Sequence, residues 1–301
     1  MTEDFFWELA TSLSKLLLLL SIAGVIGGNF SLYLANTMGF PTQPQLLRYL
    51  LASAVLGMFS MLLFFLVQAG AINQNGIAGM LDYKMVLILA KSSLGYAAGL
   101  RVIGFVSVIP AVYLFRSHGE IANSARHYGK AGFLVLVTVT ALLCLSFALT
   151  GHISTLPIIA RVGIVLHVLG ICLWVGALYP LLHLSNATDV SKVKKLMQRF
   201  GSVALLIVAV LAASGAFLLT RLLPSFNDLF FTQYGITVLV KLTGVLALLA
   251  LAGMNKLLLV PRITRKNAIL FLQSSIRTEI VIALFILMVT AWLTTAVGPA
   301  H

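Results

Sequence analysis

The chain has 301 residues, 60% of them hydrophobic and only 9% charged. Soluble domains are about half apolar and about a quarter charged, so no soluble enzyme or binding domain can be cut from this sequence. The net charge of +12 is spread in short clusters between apolar runs and forms no single patch. That argues against a nucleic-acid partner and for the loops of a membrane protein.

At about 20 apolar residues per span, the runs predict eight helices, roughly at 7–34, 47–70, 95–115, 129–150, 161–184, 196–222, 235–260 and 276–298. The expected fold class is all-α: a polytopic membrane protein, one integrated domain with halves 1–150 and 151–301. The chain opens on MTEDFFWEL, acidic where a secretory signal is basic, so the first run is expected to be a retained span. Residues 79–93 (GMLDYKMVLILAKSS) are too few and too charged to cross, and are expected to lie in the interface or to re-enter. Cys144 and Cys172 both fall inside apolar runs and imply no disulfide framework.

Loop charge gives an orientation. With spans alternating, one face collects Arg48, Arg116, Arg126, Lys130, Lys192, Lys194, Lys195, Arg199, Lys256, Arg262, Arg265, Lys266 and Arg277, thirteen of the 20 basic residues. They concentrate in the loops 115–130, 185–199 and 256–277. The positive-inside rule makes this face cytoplasmic and places both termini outside.

The halves also show an internal likeness. IAGVIGGNFSLYL (22–34) lies on ICLWVGALYPLLH (171–183), with Gly27 over Gly176. LGYAAGLRV (94–102) lies on YGITVLVKL (234–242), with Gly95 over Gly235 and Arg101 over Lys241. The fourth run ends in TGH at His152 and the eighth in GPAH at His301. This ordered series predicts two parallel four-helix repeats, an architecture in which sites tend to lie at the repeat interface. Arg101 and Lys241, both near the outer face, are expected to snorkel and anchor their helices.

The stretch richest in chemistry is LHVLGICLWVGALYPLLHL (166–184), an apolar run with a histidine near each end. His167 and Trp174, seven residues apart, share one helix face. An imidazole inside hydrocarbon is costly and asks for a reason. With the orientation above, His152, His167 and His301 all lie on the outer side, His167 roughly 9 Å below the start of its helix. If the fourth, fifth and eighth helices are neighbours, these imidazoles can converge on a metal, copper or zinc. The plain alternative is that His167 hydrogen-bonds a neighbouring helix, His152 caps an end and His301 dangles. Cys144 and Met288 are candidate soft ligands along a path, or packing. Glu279, an acid well inside the last span, is a candidate relay or release ligand, or else a salt-bridge partner of Lys256 or Arg277. There are no catalytic dyads, triads or phosphate loops, so no enzyme is expected.

These residues resemble the copper resistance protein D family of bacterial inner-membrane proteins. The resemblance rests on TGH at His152, LHVLGICLWVGAL around His167 and Trp174, YGITVLVKL, AGMNKLLLVPR, SSIRTEIVIAL and the closing GPAH. It covers essentially 150–301, and the first half more loosely. It implies an eight-span protein that handles copper at the inner membrane, often described as taking it from periplasm to cytoplasm. By the same resemblance His152 and His167 look like the family's histidines, Trp174 like its WVG tryptophan, and Asn255 and Glu279 like its inner-end polar positions. The chain departs from the family in having WVGA for the more usual WVGG and NK for NR. It has no metal-rich outer loop, which leaves capture to a separate periplasmic copper carrier. Two other readings stay open: a redox protein with a b-type haem held by histidine pairs, and a factor that hands copper to a partner enzyme without flux.

Overall fold

In the computed structural model the described residues are 3–40, 44–117, 125–223, 225–263 and 266–297, and among them the chain is helical with no strand. The helices are α1 (Glu3–Thr37), α2 (Pro44–Asn73), α3 (Tyr83–Ala90), α4 (Ser93–Val106), α5 (Val108–Ser117), α6 (Ala125–Leu145), α7 (Ile158–Leu184), α8 (Val190–Leu222), α9 (Asp228–Phe231), α10 (Gln233–Met254) and α11 (Lys266–Trp292). Short 3₁₀ turns follow α2 and α6. Both α10 and α11 run on into π-helical turns, Asn255–Leu259 and Leu293–Val297.

Among the described residues, 7 helices are long and apolar enough to cross a membrane. The fourth expected helix, 129–150, forms as α6 and the turn after it, with a described apolar part over Val137–Leu149. The segment read as interfacial becomes a 3₁₀ turn (Ile77–Leu81) and the two-turn α3. The third span, expected over 95–115, runs Ser93–Tyr113 with a break at the single residue Ser107, between α4 and α5. Pro110 explains the break, because its ring displaces the carbonyl of Val106 four residues earlier and it has no N–H to donate.

Helix α1 is the spine, packed against α2, α7, α11 and α6. Leu18, Ile22, Val25 and Ile26 on its inner side are almost fully buried. Lipid tails are as apolar as leucine, so helices in a membrane associate through close packing and polar contacts. The closest approach shows this. Where α1 crosses α7, a Cβ added at Gly176 would stand 1.7 Å from the carbonyl oxygen of Ala23, and one at Gly27 would stand 2.2 Å from the carbonyl carbon of Gly176. Only glycine fits either position. The two residues aligned as counterparts in sequence therefore touch in space. Tyr49 on α2 ties the crossing together, its hydroxyl donating to Gly176 O at 3.2 Å.

The glycines paired at the next position also have matching surroundings. Gly95 sits against the carbonyl of Ala90 at the end of α3, and Gly235 against that of Asp228 in α9. In each case a short helix turns sharply into a long one, capped by Ser92 in the first instance and Thr232 in the second.

Candidate functional site

His167 lies nine residues beyond Ile158, about 14 Å along α7 at 1.5 Å per residue. That is deeper than the sequence suggested, because α7 begins at Ile158 rather than near Arg161. The imidazole fills a notch in α8 left by Gly215, where an added Cβ would stand 3.0 Å from His167 Cε1. Beside the notch, Ser214 Oγ lies 3.2 Å from His167 Nδ1. The serine hydroxyl has one proton, and it goes to Val210 O at 2.6 Å. If that proton stays on Val210, the oxygen accepts from Nδ1–H, a tautomer that leaves the Nε2 lone pair open. This is the arrangement by which an outer partner fixes a histidine for metal ligation. Lys241 of α10 lies within electrostatic reach of the ring.

The other expected ligands do not gather there. His152 opens a 3₁₀ turn (His152–Thr155) between α6 and α7, and its side chain is outside the description, as is His301 altogether. Among the described residues no group of three or more His, Cys, Asp or Glu forms a metal cluster. Among the described side chains a serine, and no second histidine, stands across from His167. Met288 is 50% exposed on the surface of α11, and Trp174 is buried in the core. Cys144 and Cys172 are both buried and lie within electrostatic reach of each other, and Cys172 also of Tyr49.

Farther along the bundle is a cavity of about 100 Å³ between α1, α2, α7 and α11, lined by Gly24, Tyr49, Gly176, Tyr179, Ile280 and Leu284 among others. It begins two turns past His167 on α7 and ends on α11 next to Glu279. Glu279 is only 4% exposed. It forms no salt bridge with Lys256, whose Nζ donates to Gly201 O at 2.9 Å. Its partner is Asn255, whose Nδ2 donates to Glu279 Oε1. The Oδ1 of Asn255 and the Oγ of Ser275, one turn before Glu279, are buried with no partner. Asn255 also starts the π turn, closed by Val260 N donating to Asn255 O at 2.8 Å. π turns frequently mark functional positions.

Sequence reasoning singled out Glu279 and Asn255 but not that they bond each other. It missed Ser214 and Gly215, which lie in an apolar helix (LAASGAF) whose small residues read equally well as packing. It misjudged Arg101, which does not snorkel. Arg101 is 4% exposed, its Nε donating to Ser146 Oγ at 3.0 Å, its guanidinium 5.1 Å from the Phe147 ring centre.

No curated protein and no solved structure matches the chain. The family model of copper resistance protein D matches residues 194–293, from the first turns of α8 to the end of α11. Over that third of the chain, which takes in Ser214, Lys241, Asn255 and Glu279 but neither His152 nor His167, the sequence is similar to the copper resistance protein D family.

Proposed function

We propose that the chain moves copper through a membrane, from the face where α1 begins toward the face bearing the basic loops. Copper meets His167 through Nε2, with His152 as a second ligand at the approach. It then passes the cavity beside Tyr49 and Gly176 and leaves past Asn255 and Glu279. His301 and the buried Cys144 are further ligands in this scheme, and Met288 and Trp174 border the path. The positive-inside rule makes the exit face cytoplasmic and both termini periplasmic, in a bacterial inner membrane. A periplasmic carrier supplies the metal.

One observation carries this reading. The serine that hydrogen-bonds His167 Nδ1 belongs to the segment matching a copper resistance family, and with Nδ1 so engaged Nε2 is the nitrogen offered to a metal in this scheme. Imidazole nitrogen suits copper, whereas the oxygens at Asn255 and Glu279 hold it weakly, which favours release.

The test is uptake of Cu(I) into vesicles reconstituted with wild type, His167→Ala and Glu279→Gln. Uptake that falls at least tenfold in both variants supports the pathway. Wild-type uptake in both variants overturns the site assignment. Copper binding by the wild type with no flux overturns transport in favour of delivery to a partner.

A further inference from the structure

Around Glu279 three buried polar side chains offer more oxygens than their own bonds use. Glu279 is 4% exposed, and Asn255 and Ser275 are each 8% exposed. Asn255 Nδ2 donates to Glu279 Oε1, which leaves Asn255 Oδ1 without a partner among the described residues. Turning the amide over would set Oδ1 against the carboxylate and strand Nδ2 instead. Ser275 stands one turn before Glu279, on the same face of α11. Its Oγ is likewise buried and unpartnered among the described residues. Ser21, Ser60, Ser146, Ser185 and Ser214 are at least as buried, and each donates to a carbonyl one turn back. That back-bond is the simplest way to satisfy a hydroxyl in a helix, and Ser275 does not make it.

The charge of Glu279 is also uncompensated by these contacts. Lys256, the residue after Asn255, is engaged by Gly201 O, and Arg277 is exposed. Asn255 and Ser275 are neutral, and a lone carboxylate in hydrocarbon is costly. A proton would neutralise the acid, but as a donor it would serve one of the two stranded oxygens and leave the other.

We propose that Glu279, Asn255 and Ser275 hold a monovalent alkali cation, with the carboxylate, Asn255 Oδ1 and Ser275 Oγ as its ligands. Three features fit this ligand. Oxygen donors without sulfur or imidazole suit a hard cation. One carboxylate balances one positive charge, whereas a divalent ion would leave an excess inside the membrane. Asn255 opens the π turn at the end of α10, and interrupted helices are where transporters coordinate such cations. The cavity of about 100 Å³ ends at Ile280, so open space lies one residue from the acid. The site rests on α10 and α11 alone and does not depend on the passage of copper.

The probe is sodium, added to the purified full chain in detergent after copper is stripped with a chelator. Binding of radioactive sodium is measured against choline at constant ionic strength, and is expected to saturate at a single ion per chain. Ser275→Ala is expected to lower the affinity at least about tenfold, and Glu279→Gln to abolish saturable binding. Thermal midpoints in choline alone control for folding. Both variants should match the wild type there, since glutamine keeps the acceptor for Asn255 and alanine strands no polar group. A wild type with no saturable sodium binding overturns the proposal, and so does wild-type affinity in either variant. None of these measurements contains copper, so their failure is separate from a failure of copper uptake.

Discussion

Ser214→Ala is the sharpest test of the His167 seat. The change deletes one oxygen, the acceptor for His167 Nδ1–H at 3.2 Å. Val210 and its neighbours keep their helical bonds, and alanine is the better helix former, so α8 itself is not weakened. The imidazole keeps only its backbone partner at Leu211, at a cost of about 0.5–1.5 kcal/mol unless the ring turns or the proton moves to Nε2. Either escape takes the lone pair away from the position the serine fixed. Loss of such an outer partner lowers metal affinity by about 10- to 100-fold, which is about 1.4–2.7 kcal/mol. Competition for Cu(I) against a chromogenic chelator reads this directly, with the thermal midpoint as a control for folding. An affinity within twofold of wild type, in a background where His167→Ala abolishes binding, would refute the orienting role of Ser214. Wild-type binding by His167→Ala would remove His167 from the ligand set altogether.

Three further outcomes are expected. Glu279→Gln keeps an acceptor for Asn255 Nδ2 and should leave the thermal midpoint within a degree or two, whereas Glu279→Leu strands that buried N–H and should cost about 1–3 kcal/mol; equal midpoints for the two variants would contradict the pairing. Gly176→Ala puts a methyl group where Ala23 O stands 1.7 Å away and must push α1 from α7, costing about 3 kcal/mol or more, while Gly253→Ala, with nothing within 4 Å, should be neutral or slightly stabilising; similar melting curves would show the crossing to be looser than described. Single cysteines at Lys194 and Gln74 should label from opposite sides of sealed vesicles, Lys194 from the cytoplasmic one, and labelling from the same side would break the alternation of spans.

The sequence made the helices legible because membrane spans announce themselves by length and hydropathy, a signal that needs no knowledge of neighbours. It was poorer wherever the answer depended on a neighbour. The run around Pro110 was rightly read as one span, since proline in a membrane helix is tolerated when other groups take up the freed carbonyl, but the turn at Ser107 was not foreseen. Arg101 looked like an anchor because arginine near a helix end usually reaches for water. What buries it is Ser146 and Phe147, 45 and 46 residues away in a different helix. Glu279 was given basic partners from its own neighbourhood and found an amide across the bundle. Gly27 and Gly176 were aligned as counterparts, but an alignment carries no distance, and only the structure puts one against the other.

Helix α8 gives the seat of His167 a mechanical connection to the basic loops. It is one uninterrupted helix from Val190 to Leu222, with no proline and no π turn. Near its start, Lys192 and Lys194 grip the carbonyls of Gly39, just past α1, and Pro261, just past α10. Twenty residues later comes Ser214, about 30 Å along the same rod. A lever of that length turns small angles into chemical distances. A tilt of about 5° at the gripped end carries Ser214 about 2.6 Å, enough to break a hydrogen bond of ordinary length. A tilt of α8 at the two lysines would therefore change the contact between Ser214 and His167 from a distance.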